Sequence, residues 1–359
     1  MELNNIQKEI VKTNEHRVLV NSAAASGKTA LIVERIRYLL SNNVPADKIV
    51  AITFTNNAAN EMLERLGYPD GLFIGTVHSY SNYLLRCCSI DTSQYLNEEK
   101  FDELFELVKQ NPYCIQPVEH LIVDEAQDST DPQFDFFEMI NPKNYMYCYD
   151  LRQSIFGFTG ARPQRIANKE LEPGVKVYSM DLNYRNGYNI LSFAQNLLYN
   201  LDDTFQDTSI AVNPKDGFVK HTHWSFQDIT DYFLYDVKEK DYNKWFILCR
   251  SNVQITILMK KFKENGLPCV TFKQAQLTNK EIDELLNSNV IKILTIHSAK
   301  GLESEKVLVL NVYYEKDEDR FLYYVAATRA KNLLIWNKLK KTKKKKKNIE
   351  KNVKTINWE

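Results

Sequence analysis

The chain has 359 residues, 44% hydrophobic and 26% charged, which allows two or three domains with sizeable cores and excludes wholesale disorder. No apolar run reaches 18 residues and the opening MELNNIQKEIVK lacks an apolar core, so neither a membrane-spanning helix nor a signal peptide is expected. The formal charge balances at 46 basic and 46 acidic residues, but residues 338–359 hold ten Lys and two Glu, a net of +8 that leaves −8 on the remainder.

In chain order, Val18–Asn21 reads as a strand, followed by a small-residue loop and a helix over Thr29–Leu40. Ile49–Phe54 and Leu72–Thr76 are the next strands, each followed by helical spacing, over Ala58–Leu66 and His78–Cys87. Leu121–Val123, Tyr145–Tyr149 and Val175–Met180 are further strands. The second half repeats this grammar. Phe218–Thr222, Trp245–Cys249, Pro268–Phe272, Ile291–Ile296, Lys306–Val312 and Asn332–Trp336 alternate with helices such as Val253–Asn265 and Leu322–Ala330. Such alternation implies parallel sheets covered by helices on both faces. The chain reads as two α/β domains in series, 1–181 and 182–337. Asn200–Gly217 is expected to be a polar surface connection, and 338–359 a solvated, disordered tail. The six cysteines form neither a CxxC pair nor a zinc spacing, which fits a reducing, intracellular setting, cytoplasmic or nuclear.

Between the first strand and helix lies Ser22-Ala23-Ala24-Ala25-Ser26-Gly27-Lys28-Thr29. This is the setting of a phosphate-binding loop, where backbone N–H groups and a helix N-terminus cradle a polyphosphate. Lys28 would reach the β and γ phosphates, and the Thr29 hydroxyl would hold Mg²⁺. Ser22 stands where the usual first glycine would be, and a positive φ at Ala25 would cost about 1 kcal/mol. Downstream, Leu121-Ile122-Val123-Asp124-Glu125 is an apolar strand ending in two carboxylates. In a parallel sheet that end faces the ligand crevice. Asp124 would complete the Mg²⁺ shell, and Glu125 would polarise a water for attack on the γ phosphate.

With Ala126-Gln127-Asp128 added, the acidic motif resembles that of superfamily 1 DNA helicases of the UvrD/Rep type, and the likeness extends from Leu3 to Trp336. Leu3-Asn4 with Gln7 is similar to the adenine-reading Q motif. Ile52-Thr53-Phe54-Thr55-Asn56 through Glu61-Met62 is similar to motif Ia, and Gly75-Thr76-Val77-His78-Ser79 to motif Ib. Asp150 with Gln153-Ser154-Ile155-Phe156-Gly157-Phe158 is similar to motif III, and Asn183-Tyr184-Arg185 to motif IV. Thr295-Ile296-His297-Ser298-Ala299-Lys300-Gly301-Leu302-Glu303 is similar to motif V, and Tyr324 through Thr328-Arg329-Ala330 to motif VI. All stand in the family's order.

The resemblance implies two RecA-like domains in tandem, with an ATP cleft between them. Gln7 would read the adenine edge, Tyr184 would stack on it and Glu303 would approach the ribose. Gln153 would contact the γ phosphate, and Arg185 and Arg329 would act as arginine fingers from the second domain. Phe54, Thr55, Asn56, Thr76, His78, Phe156, Phe158, Thr295 and His297 would grip single-stranded DNA through stacking and phosphate contacts. Thr159 departs from the family, which usually has Arg there.

Family members commonly carry two large insertions. Here His78 and Asp124 are 46 positions apart, and Arg185 and His297 are 112 apart, most of which the second domain needs. Both accessory domains are therefore expected to be absent or vestigial. The implied function is a 3′→5′ ATP-dependent DNA helicase of repair, recombination or replication, acting at single-stranded DNA and its junctions with duplex, with no membrane partner and possible as a monomer. The alternative is a single-strand translocase or DNA-stimulated ATPase that does not unwind. A binding module with a decayed ATP site and a generic P-loop kinase account for fewer of the motifs.

Overall fold

The computed structural model describes residues 2–98 and 100–339. Its first lobe opens with α1 (Asn5–Lys12), β1 (Arg17–Ser22), α2 (Lys28–Ser41), β2 (Ile49–Ile52), α3 (Asn56–Leu66), β3 (Phe73–Gly75) and α4 (Val77–Cys87). It continues with α5 (Ser93–Asn97), α6 (Glu103–Gln110), β4 (His120–Val123), α7 (Asp131–Ile140), β5 (Asn144–Tyr149), α8 (Pro163–Glu170) and β6 (Lys176–Met180). The strands form one parallel sheet in the order β3-β2-β4-β5-β1-β6. Alternation along β4 buries Leu121 and Val123 in one core and Ile122 in another, so both faces are covered.

A connecting stretch holds β7 (Leu182–Asn183), α9 (Tyr188–Leu198) and β8 (Ile210–Ala211). The second lobe follows with β9 (Phe218–Thr222), α10 (Phe226–Tyr235), β10 (Trp245–Cys249), α11 (Asn252–Glu264) and β11 (Cys269–Val270). It ends with α12 (Asn279–Asn287), β12 (Ile291–Thr295), β13 (Ser304–Val312), α13 (Glu318–Ala327) and β14 (Ala330–Lys338). This sheet is also parallel, in the order β11-β12-β10-β13-β14-β9. Every residue of β10 is buried, as a central parallel strand requires. Phe246 and Leu248 pack in one core, Trp245 and Ile247 in the other. Ala24 and Ile155 of the first lobe join the core of the second, so apolar packing continues across the cleft.

Two expectations need correction. The helix over Leu322–Ala330 stops at Ala327, because Ala330 pairs with Ser304 and the Ser304 N–H donates to Arg329 O, drawing the chain into the sheet. Asn200–Gly217 is not merely a surface connection. Asp207 and Ser209 are buried in it, and Ile210–Ala211 pairs with Leu182–Asn183. Of the expected Lys-rich tail, Lys338 is the last residue of β14, and 340–359 lie outside the described residues.

Candidate functional site

The parallel first sheet places its strand C-terminal ends along one edge. The phosphate loop leaves β1, the carboxylates follow β4, and Asp150 to Gln153 follow β5. Gly27 (φ 87°) caps α2, and Ala25 takes the left-handed turn (φ 57°) that the missing glycine leaves to it. Ser22 ends β1, its hydroxyl donating to Tyr149 O at 3.0 Å, and Ala23 and Ala24 are buried. Ser26 Oγ is buried without a partner among the described residues, and Thr29 lines the cleft at the start of α2. An orphaned hydroxyl in a loop followed by Lys28 suits a phosphate cradle.

Lys28 Nζ lies 2.8 Å from Glu125 Oε1. Burial opposes the Lys28 charge, but Glu125 and Asp124 outweigh it and hold its pKa above the usual lysine value. Burial likewise opposes ionised Glu125, whose carboxyl Lys28 and Lys300 hold well below the ordinary range. Asp124, also buried, is pushed up to about 6 against the pull of Lys28. Glu125, like Ala25, takes a left-handed backbone conformation, with φ 50°.

Gln7 sits at the third position of α1 in a capping box with Asn4, and its Nε2 donates to Ser26 O at 2.9 Å. It therefore props the loop. Asn4 Nδ2 donates to the Tyr184 hydroxyl at 2.9 Å, bringing Tyr184 to the same end of the cleft.

The second lobe faces this edge with Lys300, Glu303 and Arg329, joined by Arg185 from the connecting stretch. Arg329 is buried. Its partners are the Val325 and Leu302 carbonyls, the Thr328 hydroxyl and Gln153 Oε1, the last at 3.2 Å, and none is a carboxylate. Burial, then repulsion from Arg185, brings its guanidinium down to about 9. Arg185 Nε reaches Glu303 at 2.5 Å, and Glu303 also pairs with Lys331. The sequence assigned no role to Lys300. Its ammonium pairs with Asp128, donates to Gln153 O at 2.8 Å and sits 5.1 Å above the Phe156 ring. Its place inside the motif V stretch was the available signal.

Beside the loop between β1 and α2 runs an aromatic track. Phe54 stacks on Phe156 at 5.0 Å, and the exposed Phe158 meets the His297 ring edge-on at 5.2 Å. Burial lowers the His297 pKa, favouring the uncharged ring. His78 stands apart from these rings, stacked on Phe105 at 5.2 Å. The hydroxyls of Thr55, Thr76 and Thr295 accept from Ala58 N, Ser79 N and Ser298 N. They shape helix and turn N-termini whose backbone donors suit phosphates, with Asn56 exposed at the start of α3.

Across a cavity of roughly 880 Å³, α3 meets the stretch before α12. Asn57 Nδ2 donates to Gln274 O and Leu277 O at 3.1 and 3.0 Å, and Asn279 Nδ2 returns a bond to Asn57 O at 2.8 Å.

The UvrD/REP helicase N-terminal domain matches residues 3–111 and 100–173, and the UvrD-like helicase C-terminal domain matches 178–277 and 272–341. The pieces meet within α6 and just before α12. A protein of Acanthamoeba polyphaga mimivirus, provisionally named an ATP-dependent DNA helicase, is 25% identical over 86% of this chain and 49% of its own. The ATP-dependent DNA helicase PcrA of Staphylococcus epidermidis is 25% identical over 79% of this chain and 53% of its own. The ATP-dependent DNA helicase Rep of Buchnera aphidicola is 25% identical over 80% and 59%. The chain thus spans about half the length of the curated relatives it matches. With both domain descriptions matched in order from residue 3 to 341, the chain belongs to the UvrD/REP helicase family.

Proposed function

We propose that the protein is an ATP-driven motor that moves 3′→5′ along single-stranded DNA and acts as a helicase in repair, recombination or replication. One observation carries this reading. Lys28 of the first lobe pairs with Glu125, Lys300 of the second reaches both Glu125 at 3.7 Å and Gln153 O at 2.8 Å, and Gln153 Oε1 accepts from Arg329.

The buried Ser26 hydroxyl and the Gly27 N-terminus of α2 fit the phosphates of ATP. Lys28 would exchange Glu125 for the β and γ oxygens. Thr29 and Asp124 would hold Mg²⁺, which supplies charge neutralisation at those oxygens. Glu125, kept ionised by its lysines, would orient and deprotonate the attacking water. Arg329 and Arg185 would stabilise charge on the transferring group. Gln7, Tyr184 and Glu303 would take the nucleoside. Because Arg329 stands on the far lobe, binding favours closure and product release favours opening. Phe54, Phe156, Phe158 and His297 would hold bases between the two lobes.

The test is ATP hydrolysis with and without single-stranded DNA, for wild type beside Lys28→Ala. Strong stimulation, lost in the variant, is expected. No turnover in folded wild type would sink the proposal. Unwinding of a duplex with a 3′ tail and none with a 5′ tail is expected, and the reverse would refute the polarity. A translocase that does not unwind is the second reading, favoured by α5–α6 and α12 being short helices in the two gaps. DNA-stimulated turnover without strand separation would select it.

A further inference from the structure

Asp207 sits in the connecting stretch, and its side chain is fully buried. Three donors converge on it. Tyr324 Oη donates at 2.8 Å, Ser209 N at 3.0 Å and Arg152 Nη1 at 3.4 Å. Arg152 belongs to the first lobe and Tyr324 to α13 of the second. Arg152 Nε pairs with one oxygen of Asp150, whose other oxygen accepts from Gln153 Nε2 at 2.8 Å. Gln153 Oε1 accepts from Arg329. Arg329 follows Tyr324 by five positions, just past the end of α13.

These contacts close a circuit from Asp207 through Arg152, Asp150, Gln153 and Arg329 back along α13 to Tyr324. The finger's helix is therefore tied to the first lobe at two points. Arg329 touches Gln153, and Tyr324 reaches Arg152 through Asp207. Two fixed points set the rotation of α13, which one contact cannot do. Buried carboxylates hold such an arrangement rigidly only when their partners are complete.

We propose that Asp207 is a positioning residue for ATP turnover, fixing Gln153 and Arg329 in mutual register while touching no substrate. This rests on the reading of Gln153 and Arg329 as parts of the ATP site.

The test is a mutant cycle on DNA-stimulated ATP turnover, using wild type, Asp207→Asn, Gln153→Ala and the double variant, with labelled ATP so that slow rates are readable. Tyr324→Phe, which deletes one hydroxyl, provides a gentler break should Asp207→Asn fold poorly. Asp207→Asn is expected to lower kcat about tenfold or more while KM for ATP stays within about twofold. On the Gln153→Ala background the same change should have little effect, since residues acting as a unit are not additive. Tyr324→Phe should show a smaller loss with the same dependence on Gln153. An Asp207→Asn factor that multiplies undiminished on Gln153→Ala overturns the proposal. So does a lowered melting temperature with unchanged kcat, which would make the cluster structural only. Folded wild type without turnover would overturn the ATPase reading itself and this proposal with it, an outcome distinct from the other two.

Discussion

Tyr184 donates its backbone N–H to the carbonyl of Ala25 at 3.1 Å, so the stretch that follows β6 steadies the phosphate loop at its left-handed residue. That left-handed conformation costs an alanine more than a glycine. Ala25→Gly should stabilise the protein by about 1 kcal/mol, read as a higher melting temperature, without loss of ATP turnover. A lower melting temperature would mean that the methyl packs better than its backbone angle costs.

Lys28 and Glu125 are each other's partner, and Lys300 stands behind Glu125 at 3.7 Å. Glu125→Gln keeps the shape and removes the base. Turnover should fall at least about 10²-fold while a fluorescent ATP analogue still binds. Lys28→Ala should lose both turnover and nucleotide affinity. Equal nucleotide loss in the two variants would show that Glu125 serves binding instead.

Arg329 lies buried among oxygen acceptors that carry no full charge. Arg329→Ala should lower kcat by on the order of 10³. Arg329→Lys should restore little, because an ammonium cannot reproduce a planar fork that reaches Gln153 and two carbonyls together. Near-normal single-turnover rates in either variant would remove Arg329 from the site.

Phe158 is 73% exposed, far more than packing alone explains for a phenyl ring. Phe158→Ala should weaken single-stranded DNA binding by about 1–3 kcal/mol in a fluorescence titration. The slope of affinity against salt should not change, because no charge is lost. A changed slope would point to a phosphate contact disturbed nearby.

His120, at the start of β4, is pushed down to about 4 by burial and then by Arg35. The folded protein resists a proton that the unfolded chain accepts near 6.5. Stability from this group is therefore present above 6.5 and lost as the pH falls towards 4. His120→Gln should lose less stability than wild type across that window in thermal melts. Parallel pH curves would show that His120 does not control this limb.

Much of the fold is legible in local pattern. Val18–Asn21, Trp245–Cys249 and Tyr145–Tyr149 are dense apolar runs bounded by turns, and each falls within a strand. The phosphate loop and the acidic pair are legible because their chemistry is contiguous in sequence. What sequence hides is pairing at a distance. Nothing beside Asp207 announces Arg152 and Tyr324, 55 and 117 positions away. Polar spacing in Asn200–Gly217 looks like a surface loop because a buried carboxylate and a solvated one read alike. The helix boundary at Ala327 was missed for a related reason. Ala330 has ample helix propensity, and pairing with Ser304 overrides it.

The contact of Asn57 with Gln274, Leu277 and Asn279 also bears on topology. On one side of the cleft the lobes are joined by the chain itself and by the contacts of Lys300 and Arg329, on the other by three amide hydrogen bonds. Were single-stranded DNA to run through the cavity, these three bonds would close it off on the α3 side. A linear strand could thread it from an end, whereas a closed circle of single-stranded DNA has no end and must wait for those bonds to part. Circular DNA would then load more slowly than linear DNA of equal length, and once enclosed it could not slide off.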